Sequence, residues 1–158
     1  MPSEQEPGGN AKVRSVPPPK AVLTVVNPAV KVVSKTPLGR MLGSVGVLRF
    51  TGRRSGRTLE IATGIHAIGN GEYGVFSSSP WRHNFHGGAP VEVLISGKHR
   101  KGRAELIEDP AEIGRAFQVA MEHASLRTLG LVIEKGYQPT AADLGSTGRE
   151  LIKITYDA

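Results

Sequence analysis

Apolar and polar residues alternate along most of the chain between residues 44 and 108. Five runs in this stretch are rich in β-branched residues, and short turns that contain glycine join them, except that residues 79–89 separate the third run from the fourth. The runs are SVGVLRFTG, RTLEIATGIHAI, EYGVFSS, PVEVLIS and RKGRAELIE, and a further run, RELIKITY, lies near the C-terminus. Because alternation with period two between tight turns is typical of antiparallel hairpins, the pattern predicts a mainly β chain.

One helix interrupts the β pattern. Asp109 is a suitable N-cap, with Pro110 in the first turn and Glu112 at the position of a capping box. The apolar residues that follow recur at helical spacing and share one face. They are Ile113, Phe117, Ala120 and Met121. Closely connected strands with one clear helix and no βαβ alternation indicate a closed or nearly closed antiparallel barrel with few helices.

The N-terminal residues differ in composition from the rest. Residues 1–20 contain Gly8-Gly9 and a run of prolines but almost no large apolar side chains. Such a segment buries too little apolar surface to offset the entropy lost on ordering. We therefore predict a disordered tail over residues 1–20 and a single barrel domain over residues 21–158.

Residues 21–33 form the most apolar stretch of the chain. Asn27, Pro28 and Lys31 interrupt it, and it is too short to span a bilayer. Asn27 and Pro28 are suited to open a short helix, which either packs across the domain or makes a peripheral contact with a membrane. The acidic, polar N-terminus lacks the features of a secretory signal, so we expect a cytoplasmic protein.

Composition and charge narrow the function classes. The chain has no cysteine, which excludes disulfides, thiolate catalysis and cysteine-based metal or iron–sulfur sites. It carries 20 basic and 14 acidic residues, for a net charge of +6. This balance favours an anionic partner, whether nucleic acid, lipid headgroups or a phosphorylated small molecule.

Gly69, Gly71 and Gly74 match the spacing of a dinucleotide-binding loop. That loop requires a helix that opens at the third glycine, whereas VFSSSP continues here as a strand and a loop. Asn70-Gly71 is instead a preferred pair for a two-residue hairpin turn. The sequence therefore predicts a hairpin and no Rossmann-type site.

Two basic clusters coincide with predicted turns. TGRRSGR (residues 51–57) is either a solvated turn or an anion cradle, in which glycines let backbone amides face a ligand and arginines add charged donors. KHRKGR (residues 98–103) is more typical of a solvated hairpin end that protects an edge strand. Aromatic residues for base stacking are not interleaved with either cluster, so we expect no nucleic-acid partner.

Histidines and carboxylates suggest no catalytic constellation by themselves. His83 and His86 are spaced to share a metal on a helix, but no third ligand is near in sequence and Arg82 would repel a cation, so no metal is predicted. No serine lies in a G-x-S-x-G elbow, and no carboxylate pair is evident. If the protein is an enzyme, a bound cofactor is expected to supply the chemistry.

Four short motifs occur in a fixed order: GRRSG, EIATG, SSS and WRHN. In this order and spacing the chain resembles the deazaflavin-dependent nitroreductase family, which belongs to the flavin/deazaflavin oxidoreductase superfamily. The resemblance is clearest over residues 27–110. It implies a split β-barrel of antiparallel strands like those of flavin reductases and pyridoxamine-phosphate oxidases.

The resemblance also implies a binding site for coenzyme F420, a deazaflavin with a phospholactyl polyglutamate tail. The arginine-rich turn would bind the phosphate and tail carboxylates, and the WRHN element would close the phosphate end. The backbone of the next strand and the serine loop would flank the ring. The implied cofactor residues are Arg53, Arg54, Ser55, Gly56, Arg57, Ile61, Ala62, Thr63, Ser77, Ser78, Ser79, Trp81, His83 and Asn84.

The implied reaction is hydride transfer from the reduced deazaflavin to a small electron-poor acceptor such as a quinone, enone or nitroaromatic. Family members carry several tyrosines after the helix, whereas this chain offers Tyr137, which is therefore the candidate on the acceptor side. Flavin mononucleotide is the alternative cofactor, and a non-catalytic ligand-binding barrel is the alternative function. Because split barrels commonly dimerise, a homodimer is also expected.

Overall fold

A seven-stranded antiparallel sheet organises the computed structural model, which describes residues 12–15 and 45–157. In chain order the strands are β1 (Val13–Ser15), β2 (Val45–Thr51), β3 (Thr58–Gly64), β4 (His66–Gly69), β5 (Glu72–Ser77), β6 (Ala89–Ile95), β7 (Lys98–Ile107), β8 (Leu131–Ile133) and β9 (Glu150–Tyr156). The helices are a 3₁₀ helix (Pro80–Phe85), α1 (Pro110–His123), α2 (Leu126–Leu129) and α3 (Ala141–Gly145). The predicted mainly β class with few helices is confirmed.

The large sheet bends into a half-barrel. Its strand order is β3-β2-β6-β7-β9-β5-β4, with every pairing antiparallel. The two edge strands are consecutive in the chain, because only Ile65 separates Gly64 from His66. Opposite edges of the sheet must therefore approach each other, as the predicted nearly closed barrel requires.

The corner at Ile65 corrects one sequence prediction. The run RTLEIATGIHAI was expected to be one strand, but β3 pairs with β2 and β4 pairs with β5, at opposite edges of the sheet. Ile65 is 2% exposed and contributes its side chain to the barrel core. Alternation with period two does not reveal this change of partner, since both halves of the run remain extended.

The tight turns form where glycine was expected to allow positive φ. Asn70 and Gly71 have φ of 56° and 72° between β4 and β5, which confirms the hairpin. Ser96 and Gly97 have φ of 51° and 74° between β6 and β7. The dinucleotide-loop spacing of the glycines therefore reflects a hairpin.

Successive residues of the strands contribute to two cores on opposite faces of the sheet. In β9, Ile152 and Ile154 face the barrel interior, whereas Leu151 belongs to a second cluster with the helices. Val75 and Phe76 of β5 divide in the same way. We call the two clusters the barrel core and the helix-side core.

Helix α1 covers the helix-side core as predicted. Asp109 accepts a hydrogen bond from the Glu112 amide at 3.3 Å, and Ile113, Phe117 and Ala120 are buried. The reciprocal half of the predicted capping box is replaced by an ion pair, since the Glu112 carboxylate lies 3.5 Å from Lys153 Nζ.

Helices α2 and α3 and strand β8 were not predicted. Thr140 begins α3 with a capping box to Asp143. Helix α3 packs so tightly on α1 that a Cβ at Gly114 would overlap the carbonyl oxygen of Ala141. The contact is between helix backbones, so hydrophobic periodicity does not report it.

Strand β1 corrects the expectation of disorder for three residues of the N-terminal tail. Val13, Arg14 and Ser15 pair with β8, and Val13 is 3% exposed in the helix-side core. An edge strand elsewhere in the chain supplies hydrogen bonds that the tail's own composition does not indicate. Residues 1–11 and 16–20, the predicted domain boundary and the apolar segment 21–33 lie outside the described residues. No helix within the described ranges is long and apolar enough to cross a membrane.

Candidate functional site

One end of the half-barrel carries most of the residues that the sequence motifs indicate. Because neighbouring strands are antiparallel, β2, β5 and β7 end there, and β3, β6 and β9 begin there. The basic turn (residues 52–57), the serine loop (residues 77–79) and the 3₁₀ helix connect these strands at this end. β3 and β5 also approach each other across the open side of the barrel.

The basic turn is fastened to the 3₁₀ helix by two hydrogen bonds. The Arg53 amide donates to Asn84 Oδ1 at 2.7 Å, and Arg53 Nη1 donates to the His83 carbonyl at 3.3 Å. These partners are about 30 residues apart in sequence. The structure therefore brings together the GRRSG and WRHN motifs, which the sequence could relate only by order.

Hydrogen bonds within the basic turn use several groups that were predicted to meet a ligand. The Gly56 amide donates to the Gly52 carbonyl at 2.9 Å, and the Arg57 amide donates to Ser55 Oγ at 3.2 Å. With the Arg53 amide held by Asn84, these backbone donors are already satisfied. The capacity of this turn to bind an anion thus resides in its side chains rather than in these amides.

Arg54 and Arg57 provide that capacity. Both residues are exposed, and within the described part of the chain neither guanidinium group forms a hydrogen bond or an ion pair. Arg49, by contrast, lies between the carboxylates of Glu60 and Glu92 at 3.9 and 3.8 Å. Two guanidinium groups without carboxylate partners leave a positive surface beside the 3₁₀ helix.

In the serine loop, the hydroxyl of one serine forms a hydrogen bond within the loop, and the hydroxyls of the two others do not. Ser77 is 7% exposed, and its Oγ accepts from the Ser79 amide at 3.0 Å. Ser78 is exposed and Ser79 is half-buried, and no hydrogen bond of either hydroxyl occurs among the described residues. These two hydroxyls are the groups of this loop that a ligand can engage.

Trp81 combines a role in the core with an unsatisfied donor. Its ring lies 6.1 Å from the Phe50 ring and 6.2 Å from the Phe85 ring, so the indole closes this end of the barrel core. The indole Nε1 is buried, and it has no hydrogen-bond partner in the described structure. A buried donor without a partner costs free energy that a bound acceptor would recover.

His83 and His86 are joined edge to edge. Nδ1 of His83 lies 3.0 Å from Nε2 of His86, the ring planes differ by 13°, and the centroids are 5.2 Å apart. Nitrogens this close cannot belong to rings stacked face to face, so the hydrogen bond lies near the ring planes. His86 Nδ1 faces Glu108 Oε1 at 3.4 Å, which favours the proton on that nitrogen.

The hydrogen bonds that join His83, His86 and Glu108 determine whether the remaining ring nitrogen of His83 is a hydrogen-bond donor or an acceptor. With the His86 proton directed at Glu108, His86 Nε2 accepts from His83 Nδ1, and the other His83 nitrogen carries a lone pair when the pair is neutral. The two nitrogens point at each other rather than at a common ion, and no group of three potential metal ligands occurs within residues 12–15 and 45–157.

Asn84 is already engaged by the fold. Its Oδ1 accepts from the Arg53 amide, and its Nδ2 donates to the Trp81 carbonyl at 2.8 Å. One N–H of the amide remains beyond these two bonds. Asn84 therefore joins the basic turn to the 3₁₀ helix by hydrogen bonds. Its contact with a cofactor stays a prediction.

Ile61, Ala62 and Thr63 lie on β3, which is an edge strand among the described strands. The Gly52 amide donates to the Arg57 carbonyl at 2.7 Å, so residues 52 and 57 form a hydrogen-bonded pair at the end of the β2–β3 ladder. In an antiparallel ladder such pairs recur at every second residue. In this register Ile61 and Thr63 face β2, whereas the backbone N–H and C=O of Ala62 face away from the sheet. Ala62 thus supplies the unpaired backbone groups of this segment.

Tyr137 is not brought to the same place. It packs against the helix-side core, whereas Trp81 packs against the barrel core on the opposite face of the sheet. Its hydroxyl donates to Asp143 Oδ2 at 2.6 Å, and Lys12 Nζ lies 5.2 Å from its ring centre. The structure thus gives Tyr137 a role in holding α3 and does not support the predicted acceptor-side role.

The turn that begins the second basic cluster lies at the other end of the sheet. Gly46 pairs with Ile95, so the turn between β6 and β7 is beside the start of β2, whereas the basic turn follows its end. The cluster then runs along β7 to Arg103, which donates to the Gly87 carbonyl just after the 3₁₀ helix.

Two buried ionisable groups were missed because burial is not written in local sequence. Burial, with a smaller contribution from the Arg149 charge, lowers the pKa of His66 to about 4. Burial also lowers the pKa of Arg149 to about 10. His66 stacks on Phe76, and the Arg149 guanidinium lies 5.2 Å from the Phe117 ring centre, so both belong to the helix side of the sheet.

The unpaired polar groups of the candidate site suit an anionic ligand. Among them, in the described part of the chain, are the guanidinium groups of Arg54 and Arg57, the Trp81 N–H and the hydroxyls of Ser78 and Ser79. All can donate hydrogen bonds, and two carry positive charge. The residues present therefore fit a cofactor with a phosphate or carboxylate tail, as flavin mononucleotide and coenzyme F420 have.

Comparisons with known proteins give similarity in structure alone. No protein-family model matches the chain, and no curated protein matches it in sequence. A candidate pyridoxamine 5'-phosphate oxidase from Listeria innocua aligns at 16% identity with a TM-score of 0.47, over 82% of this chain and 93% of its own. A candidate 5-nitroimidazole antibiotic resistance protein from Bacteroides thetaiotaomicron aligns at 11% identity with a TM-score of 0.46, over 92% and 85%.

A third solved structure, an F420 reductase, aligns at 15% identity with a TM-score of 0.41, over 84% of this chain and 97% of its own. All three TM-scores are below 0.5. The description of the fold therefore rests on the strand order and pairing given above.

Proposed function

We propose that the protein is an oxidoreductase that binds coenzyme F420 at the end of the half-barrel and passes a hydride to an electron-poor small molecule. The observation that carries this proposal is the hydrogen bond between the Arg53 amide and Asn84 Oδ1. It joins the basic turn to the 3₁₀ helix and leaves Arg54 and Arg57 exposed beside it. The motifs that resemble the deazaflavin-dependent family thereby form one donor-rich surface.

In this proposal each group of residues has a separate task. Arg54 and Arg57 hold the phosphate and tail carboxylates, and the Trp81 N–H supplies a further donor. The Ala62 backbone and the serine loop flank the ring on either side of the gap between β3 and β5. The Phe50–Trp81–Phe85 cluster excludes water from the barrel end.

When bound, the reduced deazaflavin supplies the hydride from its C5. The chain's contribution is to orient the ring, to limit the access of water and to leave room for a quinone, enone or nitroaromatic acceptor. The hydride would leave the acceptor with a negative charge, and solvent would supply the proton that completes its reduction.

Titration of oxidised coenzyme F420 with the purified protein tests the proposal. The coenzyme's fluorescence should change and saturate at micromolar protein, with flavin mononucleotide titrated in parallel. A fluorescence that stays constant would refute F420 binding. A yellow protein as purified, or tighter binding of flavin mononucleotide, would replace the deazaflavin by the flavin and keep the reaction class.

A second candidate function is ligand binding without catalysis. Its specific support is the Tyr137 hydroxyl, which donates to Asp143 on the opposite face of the sheet, so the acceptor side lacks its predicted tyrosine. Turnover of menadione or a nitroaromatic with the reduced coenzyme would exclude this candidate. Saturable coenzyme binding without any turnover would support it.

A further inference from the structure

Arg82 lies inside the WRHN motif but is not among the implied cofactor residues. Its guanidinium connects three segments at the candidate site. Nε donates to Glu150 Oε1 at 2.6 Å, and Nη1 donates to the carbonyls of Ser78 and Ser79 at 2.7 and 2.9 Å. A single side chain thus ties the serine loop to the first residue of β9.

The ion pair of Arg82 with Glu150 differs from the other charged contacts of the sheet. Both side chains are about four-fifths buried, at 18% and 20% exposure, whereas the side chain of Arg49 in its longer contacts is 50% exposed. Burial reduces screening by water and salt, so a short, hydrogen-bonded pair of this kind is more strongly coupled. Glu150 is itself fixed, because it pairs with Ser77 at the end of the β5–β9 ladder.

The guanidinium determines how the serine loop is oriented. The carbonyl oxygens of Ser78 and Ser79 both accept hydrogen bonds from Nη1, and this cationic donor offsets the repulsion between their like partial charges. The Ser79 amide is held in turn by Ser77 Oγ. With these backbone groups directed inward, the hydroxyls of Ser78 and Ser79 remain for a ligand.

We propose that Arg82, oriented by Glu150, is a positioning residue for ligand binding. Arg82 holds the serine loop so that the hydroxyls of Ser78 and Ser79 face the ring of the bound cofactor. This inference rests on the proposed function and assigns to Arg82 a task that the motif residues Trp81, His83 and Asn84 do not have. The planar fork of arginine is required, since Nε and Nη1 serve different partners.

Arg82→Lys tests the requirement for the fork, because lysine keeps the charge but cannot reach Glu150 and both carbonyls with that geometry. Glu150→Gln keeps an acceptor for Nε and removes the charge. Arg103→Lys is the matched control, since Arg103 also donates to a backbone carbonyl, that of Gly87, at 3.1 Å but does not contact the serine loop.

Three measurements are made on each full-length protein: affinity for oxidised coenzyme F420 and for flavin mononucleotide, the melting temperature, and hydrogen–deuterium exchange of peptides that cover residues 76–81. We expect Arg82→Lys to weaken binding about tenfold and to speed exchange in this peptide, with a smaller loss for Glu150→Gln. Arg103→Lys should bind as the wild type does. Emission from Trp81, the one tryptophan in the chain, reports whether the neighbouring core is intact.

The outcomes separate the two proposals. If the wild type binds and Arg82→Lys binds equally well, Arg82 is a structural staple and the positioning role is wrong, whatever the change in melting temperature. If the wild type binds neither cofactor, the proposed function fails and the positioning role fails with it. Loss of affinity in Arg82→Lys with unchanged exchange at residues 76–81 would also overturn the mechanism, because the loop would not have moved.

Discussion

Acidification should destabilise this protein through His66. The ring is 6% exposed, its Nδ1 has no partner among the described residues, and its pKa is about 4 instead of the ordinary 6.5. Loss of hydration on burial is the main cause, and the charge of Arg149 adds to it. A protonated imidazole is therefore disfavoured in the folded state and not in the unfolded chain.

The direction of the stability change and the pH range in which it occurs follow from the pKa of His66 in the folded protein, about 4, and the ordinary value of 6.5. Above pH 6.5 the ring is neutral in both states, and its titration does not alter stability. Between pH 6.5 and pH 4 the unfolded chain binds a proton that the folded protein does not. The free energy of unfolding therefore falls as the pH is lowered through this range. The full loss is about 3 kcal/mol, because each pKa unit corresponds to about 1.4 kcal/mol.

The assay is urea denaturation at intervals between pH 7.5 and pH 4, with His66→Phe as the test variant. Phenylalanine keeps a flat ring against Phe76 and removes no hydrogen bond of Nδ1, so the variant should fold and should lose most of the pH dependence in this window. His123→Gln, which removes an exposed histidine, controls for the loss of one imidazole. Parallel pH profiles for the wild type and His66→Phe would refute the reasoning.

Further expectations concern the basic turn, the helix packing and the tyrosine. Arg54→Ala should weaken binding of coenzyme F420 by about 1 to 3 kcal/mol if its guanidinium holds a phosphate or carboxylate through charge-assisted hydrogen bonds, and an unchanged dissociation constant in the fluorescence titration would count against that contact. Gly114→Ala should lower the free energy of unfolding by about 1 to 3 kcal/mol, because the new Cβ would overlap the Ala141 carbonyl. This loss is expected although alanine is the better helix former. A stabilised variant in urea denaturation would show that the two helices are not so close. Tyr137→Phe should cost about 1 kcal/mol of stability through loss of the bond to Asp143 and leave cofactor affinity unchanged, and weakened cofactor binding in a folded variant would return Tyr137 to the candidate site.

Part of the candidate site was predictable from the motifs, and part was not. Order and spacing related GRRSG to WRHN, but they did not show that Asn84 would use its amide to hold Arg53 and Trp81. Nor did they indicate that Arg82 would reach Glu150, which is 68 residues away. Side chains with several donors or acceptors can satisfy many partners, so the choice among them depends on which segments the fold brings within reach.

Local chemistry alone determined several elements of this protein. Asn70-Gly71 adopts the positive φ that a tight hairpin needs, alternation with period two marks the strands, and Asp109 caps α1 because its carboxylate is beside free amides. Each of these preferences acts over a few residues, so the sequence expresses it directly.

Tertiary structure decided how those elements are used. The corner at Ile65, the pairing of β1 with β8 and the placement of Tyr137 against Asp143 all join segments whose contacts depend on the whole barrel. The same is true of the buried His66, since an imidazole has the same local sequence signature whether it is solvated or enclosed. Burial and partner choice are properties of the closed sheet, because only its curvature brings distant strand ends together.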